Sequence, residues 1–142
     1  MKKSIRAGIL IISLFVCIVC FLSACSSQQE RYYSIKDNYV TVVGTLKFIN
    51  YSDTNDVLYL AFSNISSPFS DDCFKIVGDN LIIVQNNGFD EKIEIGDTIE
   101  FVSAPKYFGD GYVMPIVALS ANGEDFLIFD EGYCNLMEWL DD

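Results

Sequence analysis

The feature that most limits the fold is a period-two alternation that begins at Val40. Val40, Val42, Gly44, Leu46 and Phe48 fall on one side, with Thr41, Thr45 and Lys47 on the other. Successive side chains of an extended chain point to opposite faces, so the pattern specifies a long strand with one face in a core. A helix would scatter the same five residues around its circumference. Gly44 in the middle predicts a bulge or a sharp bend. The polar run Asn50-Tyr51-Ser52-Asp53-Thr54-Asn55-Asp56 is a loop, and Val57–Ser63 then resumes the alternation with Leu58, Leu60 and Phe62 together. Residues 66–72 form another loop, and Cys73–Val77 a short third strand.

Residues 79–88 carry two opposed signals. Leu81-Ile82-Ile83-Val84 is rich in β-branched side chains and suits a strand. Asp79 or Asn80 as an N-cap, and Gly88 followed by Phe89 as a helix end, favour a short helix instead. After Gly96-Asp97 a fourth strand is expected over 98–104. Gly109-Asp110-Gly111 turns the chain into a fifth over 112–120, where Pro115 implies an edge or a bulge. Ala121-Asn122-Gly123 is a further turn. Beyond Asp130 and Glu131, which suit a helix N-terminus, Tyr133, Leu136, Met137 and Leu140 recur at helical spacing. This order of elements over 39–119 resembles the OB-fold, in which a helix separates strands three and four of a five-stranded barrel. The expected architecture is therefore mostly β: a small five-stranded OB-like barrel with one short internal helix and a C-terminal helix. A small β-sandwich is the rival.

The N-terminus is built differently. Lys2, Lys3 and Arg6 precede 16 residues, 7–22, without a charge. A basic start and a short apolar run have the form of an export signal, and the run falls short of the roughly 20 residues a helix needs to span a bilayer. Leu22-Ser23-Ala24-Cys25 closes it, an aliphatic residue and two small ones before a cysteine. In this setting, before the polar Ser26-Ser27-Gln28-Gln29-Glu30, the four residues resemble the lipobox of bacterial lipoproteins. The resemblance implies cleavage before Cys25 and a diacylglyceryl thioether on its sulfur, the most nucleophilic side-chain atom near neutral pH. It also implies attachment to the extracytoplasmic face of the cell membrane. The organisation expected is 1–24 signal peptide, 25–37 lipidated N-terminus and flexible tether, and 38–142 β-rich domain.

Removing 24 of 142 residues leaves 118, enough for one domain, with 6 basic against 20 acidic side chains and a net charge near −14. That balance is expected to exclude nucleic acid, which needs a cationic partner, and to hold the domain clear of anionic headgroups. Cys73 and Cys134 remain after processing. Paired, they would close a loop worth about 4 kcal/mol in the chain-entropy model; unpaired, they would be buried thiols.

The chain has no histidine, which removes Ser-His-Asp and Cys-His catalysis and the usual zinc sets. Asp53-Thr54-Asn55-Asp56 starts like a calcium loop and then lacks its later ligands. No enzyme activity, cofactor or metal is expected. In an OB-fold the loops joining strands one to two and four to five flank the binding face. Here they hold Tyr51, and Tyr107, Phe108 and Tyr112, which would either stack on a ligand or plug the barrel end. The expectation is a membrane-anchored binding or interaction module for an envelope protein or glycan. An acidic regulatory or inhibitory subunit is the alternative.

Overall fold

The structure, a computed structural model, describes residues 28–66, 68–69, 73–106, 108 and 113–142. Chain contacts divide it into two units, Met1–Tyr32 and Tyr33–Asp142. Residues 28–33 are helical, and among the described residues no helix is long and apolar enough to cross a membrane. The second unit begins inside the stretch read as tether: Tyr33 is buried and Lys36–Asn38 form a 3-10 turn.

Strand β1 (Val40–Tyr51) is shared between two neighbours. Its first half pairs with β4 (Thr98–Ser103) and its second with β2 (Val57–Ser63), Thr45 facing a partner on both sides. The expected face holds through Val42, Gly44 and Leu46, all buried. It fails at Phe48, which is 47% exposed. Pairing with β2 passes from Leu46–Phe62 to Phe48–Ala61, so Lys47 is an extra residue and the faces exchange. The bulge is therefore at Lys47 and not at Gly44. Gly44 serves close approach instead, since a Cβ there would lie 3.0 Å from the Cβ of Phe62.

β2 continues antiparallel into β3 (Cys73–Val77). β3 then meets β5 (Met114–Ala121) in parallel through Phe74–Met114 and Lys75–Pro115, and β5 returns antiparallel to β4. The ring β1–β2–β3–β5–β4–β1 is the closed five-stranded OB-like barrel. Phe62, Phe74 and Phe101 fill it, with Phe62 stacked on Phe101 at 4.5 Å and Phe74 edge-on to Phe101 at 4.7 Å.

Between β3 and β4 lie α1 (Asp79–Asn86) and the one-turn α2 (Phe89–Lys92), so the helical reading of 79–88 holds. Gly88 takes the left-handed conformation, and Phe89 beyond it is buried. The N-cap is Gly78, not Asp79 or Asn80. Asn80 turns inward.

Two elements extend the barrel. Asn122 and Gly123 both have positive φ, the geometry of a two-residue hairpin turn, and they bring β6 (Glu124–Leu127) against β5. This sixth strand was not expected. The chain then enters α3 (Phe129–Asp141), the expected C-terminal helix, which lays Leu136 on Val77 and Val117 outside the barrel.

Candidate functional site

The outer face of strands two and three is where an OB barrel ordinarily meets its ligands. Here α3 takes part of that ground. Val57 and Val77 on this face belong to the same apolar cluster as Leu136, Met137 and Leu140. Asn80, 1% exposed, staples α1 to α3: its amide donates to the Gly132 carbonyl at 2.8 Å and its oxygen accepts from Asn135 at 3.0 Å. Toward the end of α3, Trp139 covers Gly78, and the Lys75 ammonium lies 5.0 Å from the indole centre.

Burial lowers the Lys75 pKa below the ordinary lysine range, because its charged form loses hydration there. The unfolded chain thus holds more protons between the folded value and the ordinary one, so this group's contribution to stability rises with pH across that window. Trp139 is the chain's one tryptophan and reports the change directly. A pH titration of its fluorescence is expected to show a transition below the ordinary lysine range that Lys75→Met abolishes. A transition unaltered in that variant would refute the assignment.

Of the four loop aromatics, Tyr51 and Phe108 lie among the described residues. Tyr51 is half-buried against the core, and its hydroxyl donates to Asp90 Oδ2 at 2.6 Å and accepts from Gln85 at 3.3 Å. Burial, then the bond to Asp90, raises its pKa. Phe108 lies edge-on to Tyr33 at 5.6 Å with the Lys106 ammonium 4.9 Å from its ring. Both rings are engaged by their own chain. Tyr107, Tyr112 and Cys25 lie outside the described residues. Cys73 and Cys134 are not bridged: the first is half-buried in β3, and the second is exposed on α3, so they are not a pair of buried thiols either. Asp56 accepts from the hydroxyls of Ser52 (2.7 Å) and Thr54, which closes that loop on itself.

A concavity does form elsewhere, on the outer side of β4, β5 and β6 where α3 begins. It encloses about 190 Å³ and is lined by Glu100, Val102, Ala118, Ser120, Asp125, Ile128 and Phe129, among others. Two bulges shape it. Pairing of β5 with β4 skips from Ala118 to Ile116, so Val117 and Ala118 both lie outside the barrel, one under α3 and the other in the groove. On β6 the extra residue is Phe126, and Phe126 and Leu127 both join the core. The chain emerges from that bulge at Ile128, which is extended and 55% exposed. Glu100 and Asp125 are exposed at the groove, and among the described residues no basic side chain lines it, the Lys36 ammonium lying 5.9 Å from the centre of the Phe129 ring at its edge. The site can therefore take an apolar group flanked by positive charge.

Sequence reasoning overlooked this groove and the tyrosine contacts near it. Tyr33 donates to the Lys106 carbonyl, Tyr39 to the Tyr33 carbonyl and Tyr133 to the Ser34 carbonyl, at 2.5, 2.8 and 2.6 Å. The density of tyrosines after residue 31 was the available signal that 33–39 is packed, since a solvated stalk has few aromatics.

By strand order and site, the protein is an OB-like barrel with an appended hairpin and helix. No family model matches the chain, and no curated protein does. A similar solved structure is the mitochondrial single-stranded DNA binding protein Rim1 from S. cerevisiae. The TM-score is 0.36 and the identity 16%, over 59% of this chain and 94% of that one. The expectation that net charge excludes nucleic acid is withdrawn; that similar structure is described as a single-stranded DNA binding protein. Charge balance alone does not remove that class of partner.

Proposed function

We propose that this protein is a lipid-anchored extracytoplasmic lipoprotein that binds rather than catalyses. In this reading it grips a cationic, partly apolar segment of an envelope protein in the groove between β4, β5, β6 and α3. The groove itself carries the proposal. It joins an exposed Ile128 to the carboxylates of Glu100 and Asp125, with no basic side chain among its described lining residues. Buried apolar contact would supply affinity, and the carboxylates would select a basic partner and speed its approach. The export signal and Cys25 support the anchored half of the reading. The acid rim equally favours a regulatory or inhibitory subunit whose binding changes the partner's activity.

The two halves are tested separately in cells. Cys25→Ser is expected to abolish labelling by a clickable palmitate and to move the protein out of the membrane fraction. A photo-crosslinker at Ile128 is expected to capture a partner, and Glu100→Lys with Asp125→Lys should cut that capture about tenfold. As exposed positions, these two changes should shift stability by only about 0.5 kcal/mol. Capture that survives the double reversal would sink the groove as the site.

A further inference from the structure

We infer that the end of the domain where the chain enters is a membrane-contacting surface. Its partner is the bilayer that would hold the lipid on Cys25, so the inference rests on the anchored reading above. Three tyrosine hydroxyls and the Tyr33–Phe108 and Tyr39–Phe129 ring contacts pin residues 33–39 between the β4–β5 connection and the start of α3. The point at which the chain enters this unit is therefore set by packing.

The leash is also short. Eight residues lead from Cys25 to Tyr33. Fully extended they reach at most about 28 Å. With 28–33 helical the reach falls to roughly 18 Å, because a helix rises only 1.5 Å per residue. A lipid-held Cys25 thus keeps this end close to the headgroups. What the end exposes suits that place. Ile35 is 48% exposed, the Lys36 side chain is 56% exposed, and Lys106, whose carbonyl accepts from Tyr33, is exposed in the β4–β5 connection.

Charge orients the domain in the same sense. Lys36 and Lys106, set against Asp37, Asp130 and Glu131, leave this end with a net charge of only about −1, whereas the chain after Ala24 carries a net charge near −14. An anionic surface repels the remainder and tolerates only this end. Each lysine near such a surface strengthens binding about fivefold. Ile35 then sits at headgroup level with Lys36 and Lys106 against the phosphates, while the acidic body stays in solution.

The test uses the full chain, expressed in bacteria, checked for palmitate labelling, and reconstituted in phosphatidylcholine vesicles with and without phosphatidylglycerol. The acyl chains carry bromine, which quenches nearby tryptophan. In an Ile35→Trp, Trp139→Phe variant the emission is expected to fall severalfold, well beyond the fall for Trp139 in the natural chain. Lys36→Glu with Lys106→Glu should remove the added quenching that phosphatidylglycerol gives. A labelled, vesicle-bound protein whose residue-35 tryptophan is quenched no more than Trp139 overturns the inference alone. An unlabelled protein in the soluble fraction overturns the anchored reading and this inference with it.

Discussion

Gly132→Ala is expected to destabilise the domain by about 3 kcal/mol or more, the upper range for an overpacked contact. At about 4 °C per kcal/mol, that is a fall of roughly 12 °C in the unfolding midpoint. In an ordinary helix the same change stabilises by about 1 kcal/mol, because alanine is the better helix former. Here the sign reverses. A Cβ on Gly132 would lie 1.9 Å from the Val117 carbonyl oxygen and 2.7 Å from its carbon. Both are backbone of β5, and no rotamer change can move them. The helix must lift, and with it the Asn80 bond to the Gly132 carbonyl and the contact of Leu136 with Val77 and Val117. Thermal unfolding followed by circular dichroism measures the effect. An unchanged or higher midpoint would mean that α3 is not seated on β5 as described.

Phe74→Ala should cost about 4 kcal/mol, in the range for a fully buried phenyl group. The ring is buried and meets Phe62, Phe69 and Phe101 at 5.7, 5.2 and 4.7 Å. Its backbone also carries one of the two residue pairs that join β3 to β5. Truncation therefore opens a cavity beside the shortest seam of the barrel. Phe74→Leu, which keeps most of the apolar volume, is expected to lose less than half as much. Equal losses from the two variants in urea titrations would show that the seam, and not the cavity, sets the cost.

The barrel was legible where local pattern and tertiary demand coincide. Leu58, Leu60 and Phe62 alternate and are buried as expected, because β2 lies regularly paired between β1 and β3. The helix over 79–86 was announced by Gly88, whose positive φ suits a glycine past a helix end. Phe48 was misplaced because the bulge at Lys47 arises from the sharing of β1 between β4 and β2. No residue in the strand encodes that. Strand β6 was signalled by Asn122-Gly123, a strong hairpin dipeptide. Its four residues, Glu-Asp-Phe-Leu, lack an alternation that would have extended the turn into a strand. Tyr51 and Phe108 were sound choices as loop aromatics, yet partners remote in sequence, Asp90 and Tyr33, engage them.

By itself the sequence determined the order of the first five strands, the internal helix and the C-terminal helix, and it carries the basic start, short apolar run and Leu22-Ser23-Ala24-Cys25 from which export and lipidation are proposed. Hydrophobic period and turn residues act over a few neighbours and can be read along the chain. Only the tertiary structure decided that α3 lies on the outer barrel face and that Glu100, Asp125 and Ile128 share one groove. Those outcomes depend on close approach between residues far apart in sequence, such as Gly132 and Val117, and on bulges that change which face a residue presents.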